Sequence, residues 1–262
     1  MRALLRVPHL RLCRVASCYL SVNHHNVDAV MECILPCHDS VIFGRMVQLL
    51  KLSPLWQFLA GVKKTGTALP RSVVVDQCRK DPGLLLFICK MTKARVSKAY
   101  NHRNVTAFYA SVVSDVLAAT PDQAGTLANR EQTLRRVVPY VLAGLRAASF
   151  PDYQQASYLL ACRIASGGAV SASVWAELQT AVVASPTKHG ARHAVLCLAS
   201  MWAVQSEFES HTMSQDVLTS ALALHKFHDV LRTVAATFDA SSFLSVYFPT
   251  FIQLVYVCVC GV

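Results

Sequence analysis

The stretch LRRVVPYVLAGLRAASFPDYQQASYLLACRIA, residues 134–165, constrains the fold of this chain more than any other. Its apolar residues recur at helical spacing in two runs, which predicts one helix over 134–148 and a second over 153–165. Val138, Leu142 and Leu145 mark the first, with Val141 beside them, and Ala156, Leu159, Leu160, Cys162 and Ile164 mark the second. Leu159 and Leu160 are both expected to face adjoining helices. The turn Ser149-Phe150-Pro151-Asp152 separates the runs. Pro151 and Asp152 suit a helix start, because proline gives up no needed donor there and aspartate accepts from free N–H groups. Pro139 lies inside the first helix, where it removes one backbone bond and should bend the rod. A short helix pair of this kind cannot bury its own apolar face, so it needs neighbours of the same build.

The rest of the chain offers them. Residues 174–184 and 191–204 form a second candidate pair, and Ala156 and Ala194 stand 38 residues apart, a spacing typical of helix-pair arrays. A shorter third pair is predicted over 217–224 and 228–238. In LSVYFPTFIQL, Pro249 sits among apolar residues as Pro139 does in LRRVVPYVLAGL, which suggests a further first helix. Upstream, Val27, Val30, Met31, Ile34 and Leu35 share a face that stops at Pro36. Asp39 or Ser40 can cap a helix over 41–52, ended by Ser53-Pro54. A short apolar turn holding Trp56 and Phe58 follows, then a loop over 61–69. Pro70 starts a helix over 71–78, and Asp81-Pro82 starts another to about Tyr100, with Leu84, Leu85, Phe87, Ile88 and Met91 inward. Asn104 is expected to cap a helix through Ala119, and a polar linker spans 121–129. Hydrophobic residues make up 53% of the chain and charged residues 15%, too apolar a balance for disorder. Ten glycines and ten prolines among 262 residues suit helices better than a many-turned β fold. The expected fold is therefore all-α, a solenoid of stacked antiparallel helix pairs.

The net charge of +10 is unevenly spread. Residues 63–103 carry ten Lys/Arg against two Asp/Glu, whereas 104–262 carry nine against ten. The cations are Lys63, Lys64, Arg71, Arg79, Lys80, Lys90, Lys93, Arg95, Lys98 and Arg103. Such a cluster points to an acidic partner, either RNA or an acidic protein. At 100° per residue Lys90, Lys93 and Lys98 fall within a wide arc and Arg95 lies further round, so helices and loop must stack to assemble a patch.

No constellation supports catalysis. Gly61-x4-Gly66 lacks the lysine of a phosphate loop, since Thr67 stands there. Cys33, Cys37 and His38, with His24 and His25 upstream, lack the paired knuckle spacing of structural zinc and read as core cysteines and surface histidines. Asn104-Val105-Thr106 forms a glycosylation sequon, read here as a helix cap. The ten cysteines lie mostly within apolar helical patterns, which fits free thiols in a reducing compartment. GxSxG, HExxH and paired carboxylates do not occur, so no cofactor, metal or catalytic residue is expected. Residues 1–22 hold Arg2, Arg6, Arg11 and Arg14 with no acid before Asp28, in the manner of a mitochondrial transit peptide. Residues 241–262 carry no charge, but Pro249, Gln253 and Gly261 weaken a membrane helix there. The division expected is a basic segment over 1–22, a helical repeat domain over 23–253 and an apolar tail over 254–262. A mitochondrial or membrane-attached helical protein is the alternative.

Four blocks carry a specific resemblance: VDAVMECILPCHDSVIFGRMVQLLKL, FLAGVKKTGTALPRSVVVDQCRKDPGLLLFIC, NVTAFYASVV and VVPYVLAGLRAASFPDYQQASYLLACRIA. In order and spacing they resemble the N-terminal region of the large HEAT-repeat nucleolar proteins of the small-subunit processome, a family also described as small nucleolar RNA-associated protein ten. The resemblance covers roughly residues 24–250, and the helix pair at 134–165 is similar to one HEAT repeat. It implies a HEAT-like solenoid without enzymatic activity, located in the nucleolus. The partners it implies are other processome proteins and pre-ribosomal or small nucleolar RNA, met directly or indirectly. The role it implies is support of ribosomal RNA transcription and of the processing that yields the small-subunit (18S) RNA. Family members are several times longer, so the chain is expected to be a fragment.

Overall fold

The computed structural model describes residues 26–97, 103–118, 126–168, 170–184, 190–205 and 213–260. All regular elements among them are helical: α1 (Val27–Ile34), α2 (Val41–Leu49), α3 (Ala60–Thr65), α4 (Arg71–Lys80), α5 (Pro82–Ser97) and α6 (Arg103–Leu117), then α7 (Thr126–Leu145), α8 (Pro151–Ser166), α9 (Ala172–Ala184), α10 (Ala191–Gln205), α11 (Gln215–Leu222), α12 (Phe227–Thr237) and α13 (Ser241–Cys260). Short 3-10 turns at Leu35–Cys37 and Pro54–Leu59 follow α1 and precede α3. The chain divides into two compact units, one reaching Val116 and the other starting at Leu117.

The second unit is a two-layer stack. Helix α7 packs on α8, α9 on α10 and α11 on α12. Each pair is joined by a short connection, which makes its members antiparallel neighbours. The first helices touch in series, α7 to α9 to α11 to α13, and the second helices do the same, α8 to α10 to α12. This is the expected HEAT-like architecture of stacked helix pairs. Small residues let the helices approach: Ala156 on α8 and Ala194 on α10 are both buried. A Cβ placed on Gly144 of α7 would overlap Ser157 of α8, so that contact tolerates only glycine without movement. Between α9 and α10, Trp175 and Trp202 meet edge to face with centroids 5.1 Å apart, an arrangement that aromatic quadrupoles favour.

In the first unit, Ser40 caps α2, its hydroxyl accepting from the Phe43 N–H at 3.2 Å. Gly44 of α2 lies so close to the loop after α3 that a Cβ there would overlap the Thr67 carbonyl. His38 is buried and ties the far end of that loop. Its Nδ1 donates to the Leu69 carbonyl at 2.7 Å, the Leu69 N–H returns a bond to the His38 carbonyl at 2.8 Å, and its ring lies 5.4 Å from Phe108. The surface position expected for His38 is thus corrected: pairing with the loop backbone offsets the loss of water. Trp56 Nε1 donates to Asp28 Oδ1 at 2.7 Å, joining the second 3-10 turn to α1.

Several boundaries and faces differ from expectation. Leu160 is fully buried, but Leu159 is 53% exposed. Polar Gln154 and Ser157 hold the inner face instead, because Gln154 Nε2 donates at 2.8 Å to the Leu145 carbonyl in the last turn of α7, and Ser157 donates to the Tyr153 carbonyl. Helix α7 begins at Thr126, not at 134, and takes in the last part of the expected linker. Its polar first turns are held by Arg130, which donates to the Ile164 carbonyl at 3.1 Å, and by the Arg135–Glu131 pair. It ends at Leu145 and runs through Pro139, which is exposed between buried Val138 and Val141. Most of the expected loop over 61–69 is α3, because Val62 is buried and Gly66, at φ 67°, caps the helix in the left-handed region. Asn104 lies inside α6, not at its cap. Phe87 is only half-buried, unlike Leu84, Leu85, Ile88 and Met91. The expected segment over 1–22, with His24, His25, Lys98, Pro121 and Gly261, falls outside the described residues. Among the described residues no helix is long and apolar enough to cross a membrane.

Candidate nucleic-acid interface

The basic segment occupies α3 to α6 of the first unit. Lys63 and Lys64 close α3, Arg71 opens α4, and Arg79 and Lys80 end it. Lys90, Lys93 and Arg95 lie on α5, and Arg103 is the first residue of α6. Cations near a helix C-terminus complement its dipole, which helps explain Lys63, Lys64, Arg79 and Lys80 at those ends.

Lys63, Arg71, Arg79 and Arg95 are engaged within the unit. Lys63 donates to the Leu50 carbonyl at 2.6 Å, satisfying the end of α2. Arg71 pairs with Asp115 at 3.0 Å, while Arg79 donates to the Asp115 carbonyl at 2.7 Å and meets Asp76 at 3.5 Å. Asp115 stands in the last turn of α6, so its carbonyl is one of those that no helical N–H reaches. Arg95 donates to Cys33 Sγ at 2.9 Å and lies 3.6 Å from Glu32, fastening α5 to α1. The bonds to Asp115 and Glu32 were not visible in the sequence, because those residues lie far from their partners along the chain. Lys64, Lys80, Lys90, Lys93 and Arg103 are exposed, and Arg71 and Arg79 stay exposed despite their pairs. The first unit keeps an excess of cations, eleven Lys/Arg against six Asp/Glu among its described residues. Its surface can attract polyanions through charge.

In the second unit an open groove of about 1040 Å³ runs between α7 and α9. Leu134, Val138, Pro139 and Leu142 form one wall, Val170 and Val174 the other, and Arg135, Arg146, Glu131 and Glu177 the rim. This groove was not legible in the sequence, where Pro139 reads only as a bend. Glu131 is held by Arg135 at 2.7 Å. Arg130, at the groove's end, is partly desolvated, which lowers its pKa from the ordinary value. Its bond to the Ile164 carbonyl instead caps the C-terminal turn of α8. No three His, Cys, Asp or Glu side chains converge as a metal site among the described residues.

Residues 133–251, most of the second unit, match the family model described as U3 small nucleolar RNA-associated protein 10. HEAT repeat-containing protein 1 of Homo sapiens is 31% identical over 153 residues, 55% of this chain and 7% of that protein. Its counterpart in Danio rerio is 25% identical over 249 residues, 89% of this chain and 11% of that protein. The U3 small nucleolar RNA-associated protein 10 of Yarrowia lipolytica is 23% identical over 200 residues, 76% of this chain and 12% of that protein. The chain spans about a tenth of the length of these relatives.

Proposed function

We infer that this chain, a relative of HEAT repeat-containing protein 1 and U3 small nucleolar RNA-associated protein 10, is a piece of a non-enzymatic scaffold that works in ribosome biogenesis in the nucleolus. The observation that carries the reading is the coincidence of the family match with the stacked helix pairs of α7 to α13. Stacks of this kind hold partners along extended surfaces and need no enclosed catalytic cleft. The partners are processome proteins and pre-ribosomal or small nucleolar RNA, and the role is support of ribosomal RNA transcription and small-subunit RNA processing. Lys64, Lys80, Lys90, Lys93 and Arg103, with the outward edges of Arg71 and Arg79, meet RNA through its phosphates, with little choice of sequence. Lys63 and Arg95 shape that surface from within it. The test is to express the tagged chain in cells, image it, and measure the RNA that copurifies. Nucleolar enrichment with recovery of U3 RNA above a scrambled-charge control is the expected result. Enrichment in mitochondria or membranes, without U3 RNA, would overturn the reading.

A further inference from the structure

Cys162 of α8 and Cys197 of α10 belong to the second helices of consecutive pairs, and their sulfurs lie 3.5 Å apart. Cys197 is buried, its Sγ 3.6 Å from the Tyr158 carbonyl and 3.7 Å from Met201 Sδ. Cys162 is only partly buried, so it is the one of the two nearer to solvent. The helices that carry the two residues pack directly on one another. A disulfide needs about 2.05 Å between sulfurs, so the pair must close by about 1.5 Å, a movement of the order that side-chain rotation supplies.

We propose that Cys162 and Cys197 form an oxidation-sensitive cross-link, a disulfide that staples one helix pair of the stack to the next when a hydroperoxide reaches Cys162. The hydrogen bond the two sulfurs share holds the Cys162 thiol below its ordinary pKa, and the same bond, with burial, raises Cys197. Cys162, the less buried of the two, is therefore the attacking sulfur and Cys197 the resolving one. Elsewhere, burial pushes the Cys78 and Cys89 thiols up to about 12, which leaves them unreactive. In the first step the Cys162 sulfur attacks one peroxide oxygen. The O–O bond breaks, an alcohol (water, for hydrogen peroxide) leaves with a proton, and Cys162 becomes a sulfenic acid. In the second step the Cys197 sulfur attacks the Cys162 sulfur. The S–O bond breaks, and hydroxide leaves as water with the Cys197 proton. Two thiols lose two electrons in all, and the peroxide gains them. A thiol reductant reverses the bond by exchange, so in a reducing compartment it forms transiently.

The experiment uses the full chain, treated with hydrogen peroxide, alkylated and cut with trypsin. Cleavage after Arg146, Arg163, Arg192 and Lys226 places the two cysteines on separate peptides, 147–163 and 193–226. The expected product is these peptides joined, two hydrogens lighter than their sum and separated by dithiothreitol. Cys197→Ser should lose the joined product and accumulate a dimedone-reactive sulfenic acid at Cys162. Cys162→Ser should leave Cys197 unoxidised. Full alkylation of both cysteines after peroxide that oxidises an exposed model thiol would overturn the proposal. So would joined products distributed evenly over the other cysteines. The wild-type arm decides the matter even if a serine variant fails to fold.

Discussion

Truncating Leu160 and Leu159 in turn separates the inner and outer faces of α8, one residue apart. Leu160 is fully buried. Leucine to alanine removes three carbons, worth about 2.4 kcal/mol at ~0.8 kcal/mol per buried group. The cavity left behind adds to this, so Leu160→Ala should cost about 2–5 kcal/mol. Leu159 keeps 53% of its surface in water. About half of the transfer free energy is at stake there, and alanine's better helix propensity offsets part of it, so Leu159→Ala should cost about 1 kcal/mol or less. Urea unfolding followed by circular dichroism reads both as shifts of the midpoint at constant slope. In a unit of about 150 residues the Leu160 change lowers the thermal midpoint by roughly 4–20 °C, at about 2–4 °C per kcal/mol. Equal costs at the two positions, or a cost below about 0.5 kcal/mol at Leu160, would refute an α8 that packs through Leu160 and leaves Leu159 in water.

Gln154→Ala should cost about 1–3 kcal/mol in the same assay, because it leaves the buried Leu145 carbonyl without its donor; no change would mean that water replaces the amide. Pro139→Ala should bring nothing near the roughly 3 kcal/mol that removing an interior proline from a straight helix gives, since in a bent first helix the neighbours Val138 and Val141 are already packed around the bend; a gain of that size in urea unfolding would argue against a bent first helix. Gly44→Ala should destabilise the first unit by about 1–3 kcal/mol, because the added methyl overlaps the Thr67 carbonyl; amide exchange in α2 and the loop after it checks this. Changing Lys64, Lys80 and Lys90 to Glu should weaken RNA binding, and the reversals at Lys64 and Lys80 should also lower the melting midpoint slightly, because each puts an anion at a helix C-terminus. The fall of log affinity with log salt should flatten by about 0.7–0.9 for each phosphate the protein no longer neutralises. Affinity that ignores both salt and the reversal would show a merely solvated face.

The sequence by itself determined the helix-pair character of the chain and where most helices lie. Helical periodicity, proline at helix starts and the Ser40 cap are local properties, written in neighbouring residues. They located α8, α9 and α10 within two residues of their ends. The spacing of Ala156 and Ala194 likewise marked the repeat, because each small residue must serve the same contact in its own pair. What the sequence left open is which side chain wins a contested position. Leu159 against Gln154 was decided by a single carbonyl at the end of α7, which comes near α8 only when the pair closes. His38 was drawn inward by a loop thirty-one residues away. The charge of the basic segment was legible as a count, but its use was not. Lys63, Arg71, Arg79 and Arg95 found acceptors brought to them by packing, although Arg71 and Arg79 still face water. The proximity of Cys162 and Cys197 was equally invisible, since thirty-five residues separate them along the chain and one helix contact joins them. Propensity acts over a few residues and survives in the sequence. Satisfying buried polar atoms, and the meeting of distant groups, depends on which helices touch, and only the tertiary structure decides that.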